Sequence, residues 1–341
     1  MQNPGLKNKS LAMLILLLTL LFSVTACSLH SDSKDTPETA PTNASQRTPL
    51  TEEHEATAVT VYYTTPDHEY LLPLTVSVNA TREVAKIAIE KLLAGAPDQF
   101  SAAVIPEGTK LKSLYVINQT VYVDMTQEFL NIDPENAQMA VDALVATVLP
   151  LTEGYQLQIL IDGNSVDQVG NIDISQPLSY KDPNIVNPND LKDDSVPVLY
   201  YLGDSQAMYI VPQTVLVDPD KIDSNNNVQS KAIFAIKRVL AGPLPDSSLS
   251  SPIPKKTKLL GLTVDAGVAT VDFSKELIAY GGGSAQENML LNTILYTLTA
   301  QEQIISVQIL VEGEKQEYLP EGSDSSVPLL VSRPVNKVPQ Y

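Results

Sequence analysis

Two aspartates, Asp124 and Asp272, occupy matching positions in two similar stretches of the sequence. A pair of carboxylates can act as general acid and general base when their environments push their pKa values apart. No second carboxylate recurs at a spacing that would make such a tuned pair at either position. We therefore expect both aspartates to close strands, with Thr126 and Ser274 capping the helical turns that follow.

The remaining polar residues give little indication of a metal site. The acidic segment 218–225 offers oxygen ligands for calcium, but it lacks the glycine and the terminal glutamate of an EF-hand loop. The three histidines are His30, His54 and His68, so most of the chain lacks the commonest transition-metal ligand. We predict no catalytic residue, no metal site and no cofactor.

Tyrosine dominates the aromatic residues, and there is no tryptophan. The doublets Tyr62-Tyr63 and Tyr200-Tyr201 lie on matching first strands, where successive side chains point to opposite faces. One tyrosine of each doublet is expected to pack in the core, and the other to stand outside. A sugar-stacking platform is the alternative, and we favour core or edge packing.

The composition is that of a globular protein with an acidic surface. Of the 341 residues 43% are hydrophobic, and the formal net charge is -18. A chain of this charge repels nucleic acid and anionic lipid headgroups. We therefore expect no nucleic-acid partner, and we assign the charge to solubility or to protein partners.

The N-terminus has the pattern of a secretory signal peptide. Lys7 and Lys9 precede an apolar run, and the small residues of 23–26 precede Cys27, the only cysteine. The ending Val-Thr-Ala-Cys resembles a bacterial lipobox, which implies cleavage after residue 26 and lipidation of Cys27, including palmitate. An ordinary signal peptide with a free thiol is the alternative. Residues 27–57 are polar and poor in large apolar side chains, and they are expected to form a flexible tether.

The rest of the chain contains one pattern twice, which indicates a duplicated domain. The recurring residues are Leu93-Ala94-Gly95, Ile105-Pro106, Thr109-Lys110-Leu111 and Val123-Asp124, matched by Leu240-Ala241-Gly242, Ile253-Pro254, Thr257-Lys258-Leu259 and Val271-Asp272. We place the first repeat at 58–180, a linker at 181–196, the second repeat at 197–333 and a tail at 334–341. The second copy carries eight extra residues around 220–227.

Periodicity predicts the order β-β-α-β-β-α-β for each repeat. Val59–Tyr63 alternates as a strand, and residues 137–148 carry apolar side chains at helical spacing. The expected fold class is α/β, of the α+β type, with two tandem repeats. Each repeat would be a small mixed sheet with two helices on one face.

The recurring motif, with Pro106-Glu107-Gly108 at its centre, resembles the GerM (sporulation and spore germination) domain family. The resemblance covers about residues 59–180 and 197–333, and the second copy departs from the first at Lys256, which stands in place of Gly108. The family implies a fold similar to ring-building motifs and no catalytic residues.

The same resemblance implies a sporulation or germination lipoprotein at the cell membrane. It would be anchored through Cys27 on the extracytoplasmic face and would act as a non-enzymatic scaffold in a multiprotein envelope complex between mother cell and forespore. Its partners would be the membrane and envelope proteins. The alternative is a lipoprotein that binds or processes peptidoglycan.

Overall fold

The computed structural model describes residues 57–79, 81, 83–186, 195–204, 209–281, 283–331 and 335–338. The predicted signal peptide, Cys27 and the tether up to residue 56 lie outside the described residues. Within the described ranges, none of the helices combines the length and the apolar character needed to cross a membrane.

The first repeat follows the predicted order of elements. It contains two main helices and five main strands, followed by four short strands: β1 (Thr57–Thr64), β2 (Leu71–Val78), α1 (Val84–Leu93), β3 (Leu111–Ile117), β4 (Thr120–Met125), α2 (Ala137–Val148), β5 (Gln156–Ile161), β6 (Asn164–Ser165), β7 (Gln168–Val169), β8 (Ile172–Asp173) and β9 (Leu178–Ser179). A 3-10 turn at Gln127–Asn131 links β4 to α2.

The second repeat has the same plan. Its elements are β10 (Val196–Asp204), β11 (Ile210–Val217), α3 (Asn227–Ala241), β12 (Leu249–Ser250), β13 (Leu259–Asp265), β14 (Val268–Phe273), α4 (Gly283–Thr299), β15 (Ser306–Val311), β16 (Glu314–Lys315) and β17 (Leu329–Leu330). The eight extra residues form two 3-10 turns and the start of α3, so α3 is longer than α1.

Most strands of each repeat belong to one of two sheets, and β7 and β8 of the first repeat form a separate antiparallel pair. In the first repeat β1 and β2 form an antiparallel hairpin, and β3, β4, β5 and β6 form a mixed sheet in that order, with β4 and β5 parallel. The second repeat repeats both sheets. The α/β fold class with two helices per repeat is confirmed, and the structure refines it by separating the first hairpin from the mixed sheet. The helices pack against both, since α2 and α1 contact β1 and α1 also contacts β3.

The core lies between the helices and the inner faces of these sheets. On β4, Val121, Val123 and Met125 are fully buried, as alternation along a strand predicts. Helix α2 is buried on almost every side, because it packs against β1 of the hairpin and against α1.

The turn before each mixed sheet differs between the repeats at the predicted place. Gly108 has φ +88°, which a glycine adopts without strain, whereas Lys256 in the second repeat is not among the residues with positive φ. Both turns are nevertheless closed by the same bond, from Thr109 N–H to Pro106 O and from Thr257 N–H to Pro254 O. The motif therefore fixes a turn whose type varies with the residue at its third position.

Candidate interaction surface

The two repeats meet along β2 and β11, and Asn184 joins them. Its side-chain Oδ1 accepts from Leu71 N–H at 2.7 Å, and its Nδ2 donates to Leu71 O at 2.9 Å and to Pro212 O at 2.7 Å. Thr214 N–H donates to Asn184 O, and Ile185 makes a parallel bridge to Thr214. One short segment thus fastens a strand of each repeat.

Asn336 repeats this arrangement with the roles of the repeats exchanged. Its Oδ1 accepts from Ile210 N–H at 2.9 Å, and its Nδ2 donates to Ile210 O at 2.7 Å and to Pro73 O at 2.9 Å. Thr75 N–H donates to Asn336 O, and Thr75 makes a parallel bridge to Lys337. Both asparagines have positive φ, which asparagine tolerates better than most residues.

Two tyrosines add a second reciprocal pair of contacts. Tyr70 OH lies 2.8 Å from Ser247 Oγ in the loop after α3, and Tyr209 OH donates to Asp98 Oδ2 in the loop after α1 at 2.5 Å. The contacts between the repeats are therefore self-complementary, as in a two-fold symmetric dimer. We call this set of contacts, centred on Asn184 and Asn336, the asparagine clamp.

Sequence reasoning did not single out the clamp. Asn184 lies in the expected linker at 181–196, and Asn336 in the expected tail at 334–341. The available signal was the recurrence of Asn-x-Val, at Asn184-Ile185-Val186 and again at Asn336-Lys337-Val338. A three-residue match is too short to predict a contact without the strands that it joins.

A cleft of about 630 Å³ lies beside the clamp and is lined by residues of both repeats, including Asp142 and Asp182. Burial raises the pKa of Asp142 although Gln138 donates to that carboxyl at 2.9 Å. Burial also raises the pKa of Asp182. Raised carboxyl pKa values occur at catalytic sites and also at structural ones. Among the described residues, no group of three or more His, Cys, Asp or Glu is arranged to hold a metal ion.

The tyrosine doublets lie at this junction, and their expected match is wrong by one residue. Tyr62 stands opposite Pro73, whereas in the second repeat Tyr201, and not Tyr200, stands opposite Pro212. Tyr63 and Tyr200 are each 1% exposed. Aligning the two doublets by residue identity gave the wrong register, because a shift of one residue exchanges the two faces of a strand.

The outer members of the doublets are half-buried rather than free. The backbone N–H of Tyr62 donates to Thr147 Oγ1 at 2.9 Å, and that of Tyr201 donates to Thr297 Oγ1 at 3.0 Å. The Tyr201 ring lies 5.5 Å from that of Tyr296. Burial, and then the neighbouring Tyr180, raises the pKa of Tyr62 well above its ordinary value. These rings are part of the packing and do not present a sugar-stacking face.

The paired aspartates have matching structural positions. Asp124 Oδ1 accepts from Gly163 N–H at 2.8 Å, and Asp272 Oδ1 accepts from Gly313 N–H at 2.9 Å. Each carboxylate thus holds the turn that follows the neighbouring parallel strand, β5 or β15. The side chains of Thr126 and Ser274 do not cap a backbone N–H of the 3-10 turns that follow them; Thr126 Oγ1 accepts instead from Lys110 N–H at 3.1 Å.

The acidic segment at 218–225 also has local partners. Asp218 accepts from Asp220 N–H at 3.1 Å, and Asp223 accepts from Asn225 N–H at 2.9 Å. Both are N-caps of 3-10 turns that lead into α3. These carboxylates face their own backbone and do not converge on one point.

Glu287 is a buried carboxylate that sequence reasoning missed. It is 1% exposed and accepts from Glu321 N–H at 2.8 Å, from Ser323 N–H at 2.9 Å and from Tyr280 OH. Burial alone would raise its pKa, but these hydrogen bonds outweigh burial and hold the pKa below its ordinary value. The arrangement fastens the loop at 320–324 to α4.

The outer face of the first mixed sheet carries a stacked pair of tyrosines. Tyr115 on β3 and Tyr122 on β4 stack with their ring centroids 5.1 Å apart and 10° between their planes. Tyr115 is 40% exposed, and Val116 and Ile117 beside it are 47% and 52% exposed. Thr263 and Thr270 hold the corresponding cross-strand pair in the second repeat, so this apolar patch distinguishes the first repeat.

Comparison with known proteins identifies the repeats. The family model described as Germane, sporulation and spore germination, matches residues 60–167 and 198–317. The chain belongs to the Germane family.

Two individual proteins extend this result. Spore germination protein GerM of Bacillus subtilis (strain 168) is 26% identical over 295 residues, which is 82% of this chain and 78% of that protein. The solved tandem GerMN domains of the sporulation protein GerM from Bacillus subtilis align with a TM-score of 0.63 at 23% identity, over 83% of this chain and 99% of that one. The Germane fold in its tandem form is therefore shared with this relative.

Proposed function

We propose that this protein is a sporulation lipoprotein that acts as a non-enzymatic scaffold in an envelope complex. The observation that carries the proposal is the 295-residue match to a spore germination protein, because it spans both repeats rather than one. The clamp supports it, since hydrogen bonds at Asn184 and Asn336 bind each repeat to the other. A scaffold needs fixed distances between its binding faces, and such a junction supplies them.

The site residues agree with this proposal. Asp124, Asp272 and Glu287 bond to backbone amides, which gives each a role in the fold. The proposed anchor is Cys27, acylated after removal of residues 1–26, at the extracytoplasmic face of the cell membrane. Several acyl chains on one residue give stable anchoring, which a single chain does not.

The experiment is a pull-down of the tagged protein from sporulating cells, using the full chain and versions that lack either repeat. We expect other forespore-envelope proteins to be recovered with the full chain and lost when either repeat is deleted. Incorporation of labelled palmitate, lost in Cys27→Ala, tests the anchor in the same cells. Saturable binding to purified sacculi without protein partners would contradict the scaffold role.

A peptidoglycan-binding lipoprotein is the second candidate, and the exposed stack of Tyr115 and Tyr122 favours it. Aromatic rings that present a free face can stack against sugars, and Tyr115 is the more exposed of the two. Sedimentation with sacculi separates the candidates. Binding that is lost in Tyr115→Ala and retained in Tyr318→Ala, at a tyrosine that is 59% exposed, would favour this function over the scaffold.

A further inference from the structure

We propose that the β3 edge of the first repeat binds an extended, acidic segment of a partner protein, which adds to the mixed sheet as a further strand. The proposal rests on the scaffold function above and deepens it, because it assigns that scaffold a binding edge and a partner chemistry. An edge strand presents unpaired N–H and C=O groups that another strand can bond.

At each of the other long edges of the described sheets, another segment of the chain pairs with one or two residues. Ala102 bridges to Thr64 at the end of β1, β12 pairs with the last two residues of β10, and Ile185 and Lys337 bridge to single residues of β11 and β2. The mixed sheets are covered at β5 and β15 by short antiparallel strands. Edge strands in this fold therefore pair with short extended segments, and β3 and β13 are the two long edge strands that remain to be considered.

The register shows which amides of β3 and β13 face outward. Each of these strands enters a two-residue hairpin, closed by Ile117 and Thr120 or by Asp265 and Val268. In such a hairpin the closing pair is hydrogen-bonded, so the residue before it points its N–H and C=O away from the partner strand. These residues are Val116 and Val264.

The second repeat confirms this direction and closes its own edge. Val264 N–H donates to Gln229 Oε1 at 3.2 Å, from the first turn of α3. Helix α1 begins at Val84, without the extra N-terminal turn that carries Gln229 in α3. Within the described residues, no hydrogen bond joins the Val116 amide to a neighbouring element. In the part of the chain that the structure describes, the β3 edge is accordingly the open one.

A groove of about 530 Å³ runs beside this edge, between β3 and the start of α1. Its lining includes Val84, Leu114 and Leu151, all partly buried apolar residues. An added strand would place alternate side chains over this floor, and the others beside Tyr115 on the opposite face. The occupant must therefore have apolar residues at alternate positions.

Charge at the edge selects an acidic occupant. Lys86 and Lys112 line the groove and Lys110 precedes β3, on a chain whose net charge is -18. Lys86 pairs with Glu83 at 3.2 Å and Lys112 with Asp162 at 2.8 Å, but both pairs are exposed. Exposed ion pairs contribute little, so a peptide carboxylate can replace either partner. A second copy of this acidic chain is a poorer match than an acidic segment flanked by apolar residues.

The test selects binders from a display library of random dodecapeptides on the full chain in detergent micelles. The most enriched peptide is then titrated by fluorescence anisotropy. Val116→Pro removes the outward N–H at a position where an edge strand tolerates proline. Val264→Pro is the matched control on the closed edge, and Lys86→Glu with Lys112→Glu is compared with Lys255→Glu and Lys256→Glu. Thermal melting of each variant verifies folding.

We expect enriched peptides to combine acidic residues with alternating apolar ones. Their affinity should fall at least tenfold in Val116→Pro and about three- to tenfold in Lys86→Glu/Lys112→Glu, with changes under about twofold in both controls. Absence of enriched peptides, or equal binding to Val116→Pro, would overturn the proposal. So would a dimer of the full chain that Val116→Pro dissociates, since the occupant would then be a second copy. The assay uses no sporulating cells, so its failure would leave the scaffold function to its own test.

Discussion

Replacing Asn184 by aspartate keeps the size of the side chain and removes two of its three bonds. The acceptor for Leu71 N–H remains, but the donations to Leu71 O and to Pro212 O are lost. Both carbonyl oxygens would then face a carboxylate. At about 1 kcal/mol for each lost bond, with added repulsion, the free energy of unfolding should fall by about 2 to 3 kcal/mol. For a protein of this size that lowers the Tm by about 5 to 10 °C.

Differential scanning calorimetry of the full chain measures this change. The control is Asn164→Asp, because Asn164 is exposed and its side-chain amide donates to the nearby Asp162 O, at 3.1 Å. We expect the wild-type repeats to unfold in one transition, and Asn184→Asp to lower it or to separate it into two. Asn336→Asp should lower the Tm by a similar amount, since the Asn336 side chain makes the reciprocal bonds. A Tm within about 1 °C of that of Asn164→Asp would refute the clamp.

Three further predictions concern the interior of each repeat. Thr147→Val and Thr297→Val should each cost about 1 to 2 kcal/mol in chemical denaturation, since each leaves a strand N–H without its acceptor; unchanged midpoints would contradict this. Glu287→Gln should lower the free energy of unfolding most at neutral pH and least in acid. The lowered pKa of Glu287 stabilises the folded state above about pH 4.3, and that contribution is lost as the pH falls through the lowered value. A difference from wild type that does not vary with pH would disprove this prediction. Gly154→Ala would place a Cβ 2.3 Å from a side-chain carbon of Val121 and should cost about 1 to 3 kcal/mol, whereas Gly261→Ala, with nothing within 4 Å, should not.

The repeats and their elements could be predicted because each depends on local patterns. Helical spacing in 137–148 and alternation along β4 depend on neighbouring residues alone, and both elements are present. The duplication supplied the same prediction twice. The placement of the hairpin in a separate sheet could not be predicted, since pairing between distant strands leaves no local signal.

The candidate surface was less accessible to sequence reasoning for the same reason. Asn184 and Asn336 act on strands more than a hundred residues away in the chain, so their composition alone suggests a linker and a tail. The residue that matches Glu287 in the first repeat is Ala137, at the start of α2. Because no carboxylate recurs at this position, comparing the two repeats did not reveal Glu287. The tyrosine doublets were aligned residue by residue because both read Tyr-Tyr, although the strand register matches Tyr62 with Tyr201.

The most direct test of the scaffold role is the count of heat-resistant spores formed by the source organism. The gene would be deleted and replaced by the wild type, by Cys27→Ala, or by versions that lack either repeat. We predict that deletion lowers the count, that the wild type restores it, and that neither the unanchored nor the single-repeat versions do. Normal spore counts without the gene, or full restoration by one repeat, would contradict the account.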